Sequence, residues 1–131
     1  MIHLLKRRIV ILALTFSALF VLSNSDVQAT ATDFTLKNLA GEDVSLSDFA
    51  GNQNVLVVFG TTWCPYCVSE IDTLNQLHSE LGDKIKVLGV YVQEKMNKVQ
   101  QFTQKKGVQY EVLLDTEGAV AQAYGVRGIP A

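Results

Sequence analysis

Two periodicities of hydrophobic residues run along the chain after residue 30. Apolar and polar residues alternate from Phe34 to Leu36 and from Val44 to Leu46, with Asn38 and Gly41 between them, which predicts a short β-hairpin. Val55 to Phe59 is an unbroken apolar run, which predicts a strand buried on both faces.

Helical spacing follows this strand. Apolar residues recur at positions 68, 71, 74, 77 and 81, which predicts an amphipathic helix from about Cys64 to Leu81 that Gly82 ends. Ile85 to Val92 is a second apolar strand. Because a strand, a helix and a strand follow one another, we expect the two strands to lie parallel in one sheet.

Shorter elements account for the rest of this region, and together they predict one α/β domain over residues 30–131. In chain order they are a brief turn capped by Ser47, a helix over 94–106 with Met96, Val99 and Phe102 facing the core, a strand over 110–114 and a short helix over 119–124.

The first 29 residues have the pattern of an export signal. A basic cluster at positions 6–8 precedes a 14-residue apolar run, Ile9 to Leu22, and small residues lead up to Ala29. The run is shorter than the roughly 20 residues that a membrane-spanning helix needs. We therefore expect a signal peptide over 1–29, with an uncleaved N-terminal anchor as the alternative, and an exported, periplasmic or otherwise extracytoplasmic protein.

Composition and charge narrow the function. The leader holds three of the 11 basic residues and one of the 13 acidic ones, so its removal changes the formal charge from −2 to −4. This acidity argues against a nucleic-acid partner held by a basic surface. Two cysteines and two histidines exclude a disulfide-rich scaffold, and a four-ligand Cys/His zinc site would need carboxylates or a second chain.

The chemistry is concentrated in Trp63-Cys64-Pro65-Tyr66-Cys67, where the predicted strand meets the predicted helix. A helix N-terminus carries about half a positive charge, which favours the thiolate of Cys64, the form that attacks disulfides. Cys67 lies one turn later and can close a disulfide with Cys64, while Pro65 suits the first turn. We expect Cys64 to be exposed and to attack, and Cys67 to be more buried and to resolve the intermediate. A purely structural bridge across so short a loop would contribute only about 2 kcal/mol.

Several segments resemble a known family. Thr61 to Cys67, after an apolar strand, resembles a thioredoxin-fold active site, and Tyr124 to Pro130 resembles the thioredoxin segment that carries a cis-proline. Asp33 to Leu36, Val44 to Phe49 and the extra helix and strand between Tyr91 and Leu114 resemble the exported TlpA/ResA-like branch. The resemblance extends over nearly all of the chain beyond the leader.

The resemblance implies a thioredoxin-like fold with an N-terminal hairpin and an inserted helix and strand. It also implies an exported thiol–disulfide oxidoreductase, whose exchange reaction needs no cofactor. No metal is expected at the cysteines either, because the chain lacks the partners that a metal site would need. Members of this branch reduce protein disulfides, for example in cytochrome c maturation, with electrons from a membrane thiol donor. The expected partners are therefore a protein disulfide substrate and such a donor.

Roles for further residues follow from the same resemblance. Trp63 would shield the disulfide, Pro130 would form a cis peptide bond and face the disulfide, and the backbone of Ile129 would hydrogen bond a substrate. The dipeptide Pro65-Tyr66 is one control on the redox potential. It does not decide between reductase and oxidase, so the reducing direction rests on the branch resemblance.

Glu70 is a further candidate, because it lies three residues after Cys67 and borders the apolar stripe. A carboxylate near a buried thiol raises the pKa of that thiol by like-charge repulsion, and the two groups could exchange a proton. The family branch carries a glutamate at this position. The alternative is a solvated acid that favours the N-terminal half of the helix.

The chain departs from the family at its C-terminus, where one residue follows Pro130. In the family, a further strand pairs antiparallel with the segment equivalent to Val55–Phe59. Without that partner the strand would be a bare sheet edge, which is an aggregation hazard. We therefore expect the C-terminus to be incomplete; the alternatives are another segment that covers the edge, or a non-catalytic remnant.

Two other activities fit related folds less well. Thiol peroxidases of this fold carry a proline seven residues before the reactive cysteine and a threonine three before it; Thr61 matches the second position, but Val57 occupies the first. A copper-delivery protein would need cysteines one residue further apart and a downstream histidine; the cysteine spacing does not match, and His78 lies about three turns along the same predicted helix, too far away to share a metal with the cysteines.

Overall fold

The structure, a computed structural model, describes residues 31–131, so the expected leader over 1–29 lies outside the described residues. The strands are β1 (Thr35–Asn38), β2 (Asp43–Ser45), β3 (Asn54–Gly60), β4 (Ile85–Val92) and β5 (Glu111–Asp115). The helices are α1 (Pro65–Ser69), α2 (Ile71–Leu81), α3 (Met96–Lys106) and α4 (Ala119–Ala123), and Leu46–Phe49 is a 3₁₀ turn.

The five strands form one sheet in the order β2-β1-β5-β4-β3. β4 lies parallel to both β3 and β5, which confirms the predicted parallel pair. β1 is antiparallel to β2 and to β5, so the N-terminal hairpin extends the sheet on the side opposite to β3. The predicted α/β arrangement of a hairpin, a βαβ unit and a further helix and strand is therefore present over residues 31–131.

A hydrophobic core lies on each face of the sheet. Successive side chains of a strand point to opposite faces, and β4 supplies both cores because it lies between two other strands. Buried residues of one core are Phe34, Phe59, Leu88, Val90, Leu113 and Ala121. Those of the other core are Val87, Tyr91, Val99, Tyr110, Val112 and Leu114.

The predicted single helix over 64–81 is wrong in one respect, because it is two segments that meet at Glu70. The hydroxyl of Ser69 donates a hydrogen bond to the carbonyl oxygen of Tyr66 at 2.7 Å. Such side-chain bonds to the preceding turn compete with helical hydrogen bonds and bend helices. Cys64 is the residue that caps α1 and not its first helical residue.

The prediction that β3 is buried on both faces is also wrong. Leu56 is 36% exposed, because β3 is the last strand of the sheet and has a strand neighbour on one side alone among the described residues. At its far end the edge is paired: Phe59 N donates to Ala131 O at 2.7 Å, and Ala131 N donates to Phe59 O at 3.2 Å. This mutual pair is typical of antiparallel strands.

Smaller differences concern the ends of elements. The 3₁₀ turn is capped at Ser45, whose N–H donates to Asp48 Oδ2 at 2.8 Å, and not at Ser47. Met96, expected to face the core, is exposed at the first position of α3, a helix that begins two residues later than predicted. No helix within residues 31–131 is long and apolar enough to cross a membrane.

Candidate active site

The two cysteines meet at the junction of β3 and α1. They form a disulfide, with 5.3 Å between their Cα atoms. Pro65 occupies the first helical position, as predicted, where its missing N–H costs no hydrogen bond. Cys64 keeps an extended backbone, and its Sγ accepts a hydrogen bond from the N–H of Cys67 at 3.2 Å. A sulfur at this position lies where a backbone donor and the helix N-terminus both favour negative charge.

The expected difference in exposure between the cysteines is reversed in this disulfide-bonded form. Cys64 is only 4% exposed, whereas Cys67 is half-buried. The cap position explains this, because the Cys64 backbone closes the turn after β3 and its sulfur folds back over the first turn of α1. Cys67 packs tightly against β3: a Cβ added at Gly60 would lie 3.3 Å from its Sγ.

Two residues of the cysteine motif have exposed aromatic side chains. Trp63 is 68% exposed and Tyr66 is 75% exposed. Large exposed apolar side chains in a cluster mark surfaces that bind partners. This arrangement is compatible with the expected shield at Trp63, and its role remains a prediction.

Glu70 and Pro130 line one groove beside the edge strand. The groove has a volume of about 540 Å³, and its walls include Leu56, Val58 and Leu74. The Ile129–Pro130 peptide bond is cis, as expected, and Ile129 packs against one hydrophobic core.

Two buried tyrosines, Tyr91 and Tyr110, lie in the core on one face of the sheet. Burial raises the pKa of Tyr110 to about 12, the hydrogen bond from Tyr91 opposes this rise, and the Glu70 carboxylate adds to it. Burial also raises the pKa of Tyr91. Glu70 itself is half-buried, and its role at the cysteine pair stays a prediction.

The prediction from the sequence missed Glu94, which the pattern placed at the start of a helix. Its carboxylate accepts a hydrogen bond from Thr62 N at 2.7 Å and from the Thr62 hydroxyl at 2.6 Å. Lys98 lies 2.6 Å from the same carboxylate. A signal was present, since Glu94 follows β4 and Thr62 follows β3, and the carboxyl ends of neighbouring parallel strands meet at one sheet edge.

The cysteine pair has no further metal-ligating side chains grouped with it in the part of the chain that the structure describes. Within residues 31–131, no group of three or more His, Cys, Asp or Glu side chains is placed to hold a metal ion.

Comparisons with known proteins agree with this arrangement. The model of the AhpC/TSA family matches residues 27–131. The thiol-disulfide oxidoreductase ResA of Geobacillus thermodenitrificans is 32% identical over 105 residues, which cover 79% of this chain and 60% of that protein. The protein of the same name from Halalkalibacterium halodurans is 30% identical over 124 residues, which cover 92% of this chain and 70% of that protein.

A solved structure shares the fold. The crystal structure of a putative thiol:disulfide interchange protein DsbE from Chlorobium tepidum superposes with a TM-score of 0.71 at 28% identity, over 76% of this chain and 70% of that one. The chain spans about 60% of the length of the two Geobacillus ResA proteins. With a thioredoxin-like fold, a cysteine pair at its helix start and these relatives, the chain belongs to the AhpC/TSA family, alongside the ResA-type thiol-disulfide oxidoreductases.

Proposed function

We propose that this protein is a thiol–disulfide oxidoreductase that reduces disulfides in other proteins, with Cys64 and Cys67 as its redox pair. The observation that carries the proposal is the position of Cys64, whose Sγ accepts the Cys67 N–H at the start of α1. A thiolate formed there is stabilised by that donor, and a stabilised thiolate is the nucleophile of disulfide exchange. The names of the relatives support the same class of reaction.

The reaction proceeds in two exchanges. In the reduced protein the Cys64 thiolate attacks one sulfur of a substrate disulfide, which forms a mixed disulfide and releases the other substrate sulfur as a thiolate. The Cys67 thiolate then attacks Cys64 Sγ, which closes the Cys64–Cys67 disulfide and releases the second substrate thiolate. Two electrons pass to the substrate, and a thiol donor must return them.

Glu70 is proposed to assist the second exchange by holding and releasing the proton of Cys67. Its place in the groove next to β3, three residues after Cys67, supports this role. A carboxylate there disfavours a second negative charge on the thiol. The Glu70→Gln variant should therefore lower the pKa of the Cys67 thiol, measured by alkylation rates in a Cys64→Ser background, and an unchanged pKa would contradict the role.

The substrate is proposed to dock over the exposed aromatic side chains. Trp63, which precedes Cys64, and Tyr66, which lies between the two cysteines along the chain, offer exposed apolar surface. The cis-proline segment would complete the surface, with Pro130 facing the sulfurs and the Ile129 backbone bonding to a substrate strand. These roles for Ile129 and Pro130 come from the family resemblance.

The location and the physiological task are further parts of the proposal. The leader pattern over 1–29 supports export, and cytochrome c maturation with a membrane thiol donor is the task that the family resemblance favours. Intact mass of the protein from its source, with and without alkylation, tests export: a chain that begins at Thr30 supports it, and an intact leader in a cytoplasmic fraction contradicts it.

Trapping of the mixed disulfide tests the central claim. In a Cys67→Ser variant the first exchange should occur but not the second, so substrate proteins should remain attached to Cys64 and appear as reductant-sensitive bands on a non-reducing gel. The Cys64→Ser variant is the matched control and should trap nothing. No trapping by Cys67→Ser, together with rapid consumption of hydrogen peroxide by the wild-type protein, would favour a thiol peroxidase instead.

A further inference from the structure

Glu94 is a buried acid that the exchange reaction leaves unused. It is 6% exposed and lies two residues beyond the end of β4, where both of its carboxylate oxygens bond to Thr62. We propose that Glu94 is a positioning residue, which holds Thr62 and so keeps Cys64 in place at the start of α1, above all in the reduced protein. The inference rests on the proposed function and names a residue that tunes the same site.

The turn between β3 and α1 depends on these bonds. Within it, Cys64 N reaches Thr61 O only at 3.5 Å, which is beyond the usual range of backbone hydrogen bonds. Trp63 is mostly exposed and offers little packing. The bonds from Thr62 to Glu94, at 2.7 Å and 2.6 Å, are short and charge-assisted, the stronger class of hydrogen bond. Glu94 therefore fixes the turn from the neighbouring strand.

Reduction makes this attachment more important. In the oxidised protein the disulfide ties Cys64 to Cys67, so the covalent link itself limits the position of Cys64. In the reduced protein that link is gone, and Cys64 is held by the turn and by its bond with Cys67 N. Thiolate stabilisation requires the sulfur to stay at that donor. Loss of the hydrogen bonds to Glu94 should therefore destabilise the reduced protein more than the oxidised protein.

Glu94 can affect the Cys64 thiolate in two ways, by holding Thr62 in place and by electrostatic repulsion through space. The charged and titratable groups that face Glu94 from the described elements are Lys98 of α3 and Tyr91 of β4. Burial alone would raise the pKa of the Glu94 carboxyl, but the hydrogen bonds from Lys98 and Thr62 outweigh burial and hold it below its usual value. An ionised carboxylate would, through space alone, disfavour a thiolate at Cys64. Positioning and through-space charge therefore predict opposite signs when the charge is removed.

The test is the Glu94→Gln variant of the full-length protein. A glutamine can contact both Thr62 groups only through neutral hydrogen bonds, with Oε1 accepting from the backbone N–H and Nε2 donating to the hydroxyl. Neutral hydrogen bonds are weaker than the charge-assisted ones that the carboxylate accepts. We expect the pKa of the Cys64 thiol to rise, and the rate of alkylation of the reduced protein by iodoacetamide at neutral pH to fall by about three- to tenfold. We also expect the equilibrium with glutathione to shift toward the oxidised protein.

Variants of Thr62 test the same hydrogen bonds from the other partner, without a change at Glu94. Thr62→Val loses the hydroxyl bond and keeps the backbone bond, so it should shift the thiol pKa in the same direction by less. Thr62→Ser keeps both donors, so the pKa of the Cys64 thiol should stay at its wild-type value. Glu117 is exposed, so Glu117→Gln is the matched control for loss of an acid.

The outcomes separate this inference from the proposed function, since iodoacetamide and glutathione require no protein substrate. A lowered thiol pKa in Glu94→Gln would mean that Glu94 acts by charge alone, and would overturn the inference. Equal loss of stability in both redox forms, with the thiol pKa unmoved, would reduce Glu94 to a structural residue and would overturn it as well. If Glu94→Gln does not fold, an unchanged thiol pKa in Thr62→Val overturns the inference.

Discussion

Asp115 should be one of the most costly single positions to truncate in the domain. It ends β5, is 2% exposed, and accepts two hydrogen bonds from the first turn of α4: Oδ2 from Ala121 N at 2.8 Å and Oδ1 from Val120 N at 3.3 Å. Its carboxylate therefore joins the sheet to the helix that precedes the cis-proline segment.

The magnitude follows from the two bonds. A hydrogen bond to a charged group contributes about 1.5–3 kcal/mol, and a buried donor left without a partner costs about 1–3 kcal/mol. The bond from Val120 is long and adds less. The Asp115→Ala variant should therefore lose about 3 kcal/mol of unfolding free energy, a large share of the 5–15 kcal/mol that is usual for a domain. Asp115→Asn keeps one acceptor oxygen and should lose about half as much.

Urea denaturation of the oxidised protein at neutral pH measures these differences. With slopes of about 1–3 kcal/mol per molar urea, a loss of 3 kcal/mol lowers the midpoint by about 1–3 M. Asp83→Ala removes an exposed acid from a surface turn and should stay within about 0.5 kcal/mol of wild type. If Asp115→Ala also stays within that range, the assignment of a stabilising role to its two bonds is refuted.

Two further predictions concern the tyrosine pair. A Cβ at Gly89 would lie 2.7 Å from Cε2 of the Tyr110 ring, so Gly89→Ala should lower the unfolding free energy by about 1–3 kcal/mol through overpacking. Gly128→Ala is the control, because a Cβ there meets no atom within 4 Å and should change thermal stability little. Equal melting temperatures for the two variants would contradict the prediction. Burial raises the pKa of Tyr110 from 10.0 to about 12, so the folded state keeps a proton that the unfolded state loses. The contribution of Tyr110 to stability is therefore complete below pH 10 and is lost as the pH rises toward about 12. Across that range the unfolding free energy of Tyr110→Phe should fall less steeply with pH than that of the wild-type protein. Identical slopes would refute the prediction.

The candidate site could be predicted from the sequence, because the residues that define it are close together along the chain. Two cysteines three residues apart, a proline between them and an apolar strand before them predict a cysteine pair at a helix start, and the structure has that pair there. The same holds for β4, whose apolar run from Ile85 to Val92 has the predicted bounds. The hydrophobic period of a strand or helix depends on residues that are close in sequence, so it can be read without knowledge of the tertiary structure.

The order of exposure at the cysteines and the contact between Glu94 and Thr62 were decided by tertiary structure. Thr62 and Glu94 are 32 residues apart in the chain, and they meet only because β3 and β4 pair in parallel and end at the same edge. The exposed face of Leu56 depends on which strand is last in the sheet. By itself the sequence determined where most of the strands and helices lie and that the two cysteines stand at the start of a helix. Which side chains reach those cysteines was decided by sheet order and register, because long-range contacts have no period along the chain.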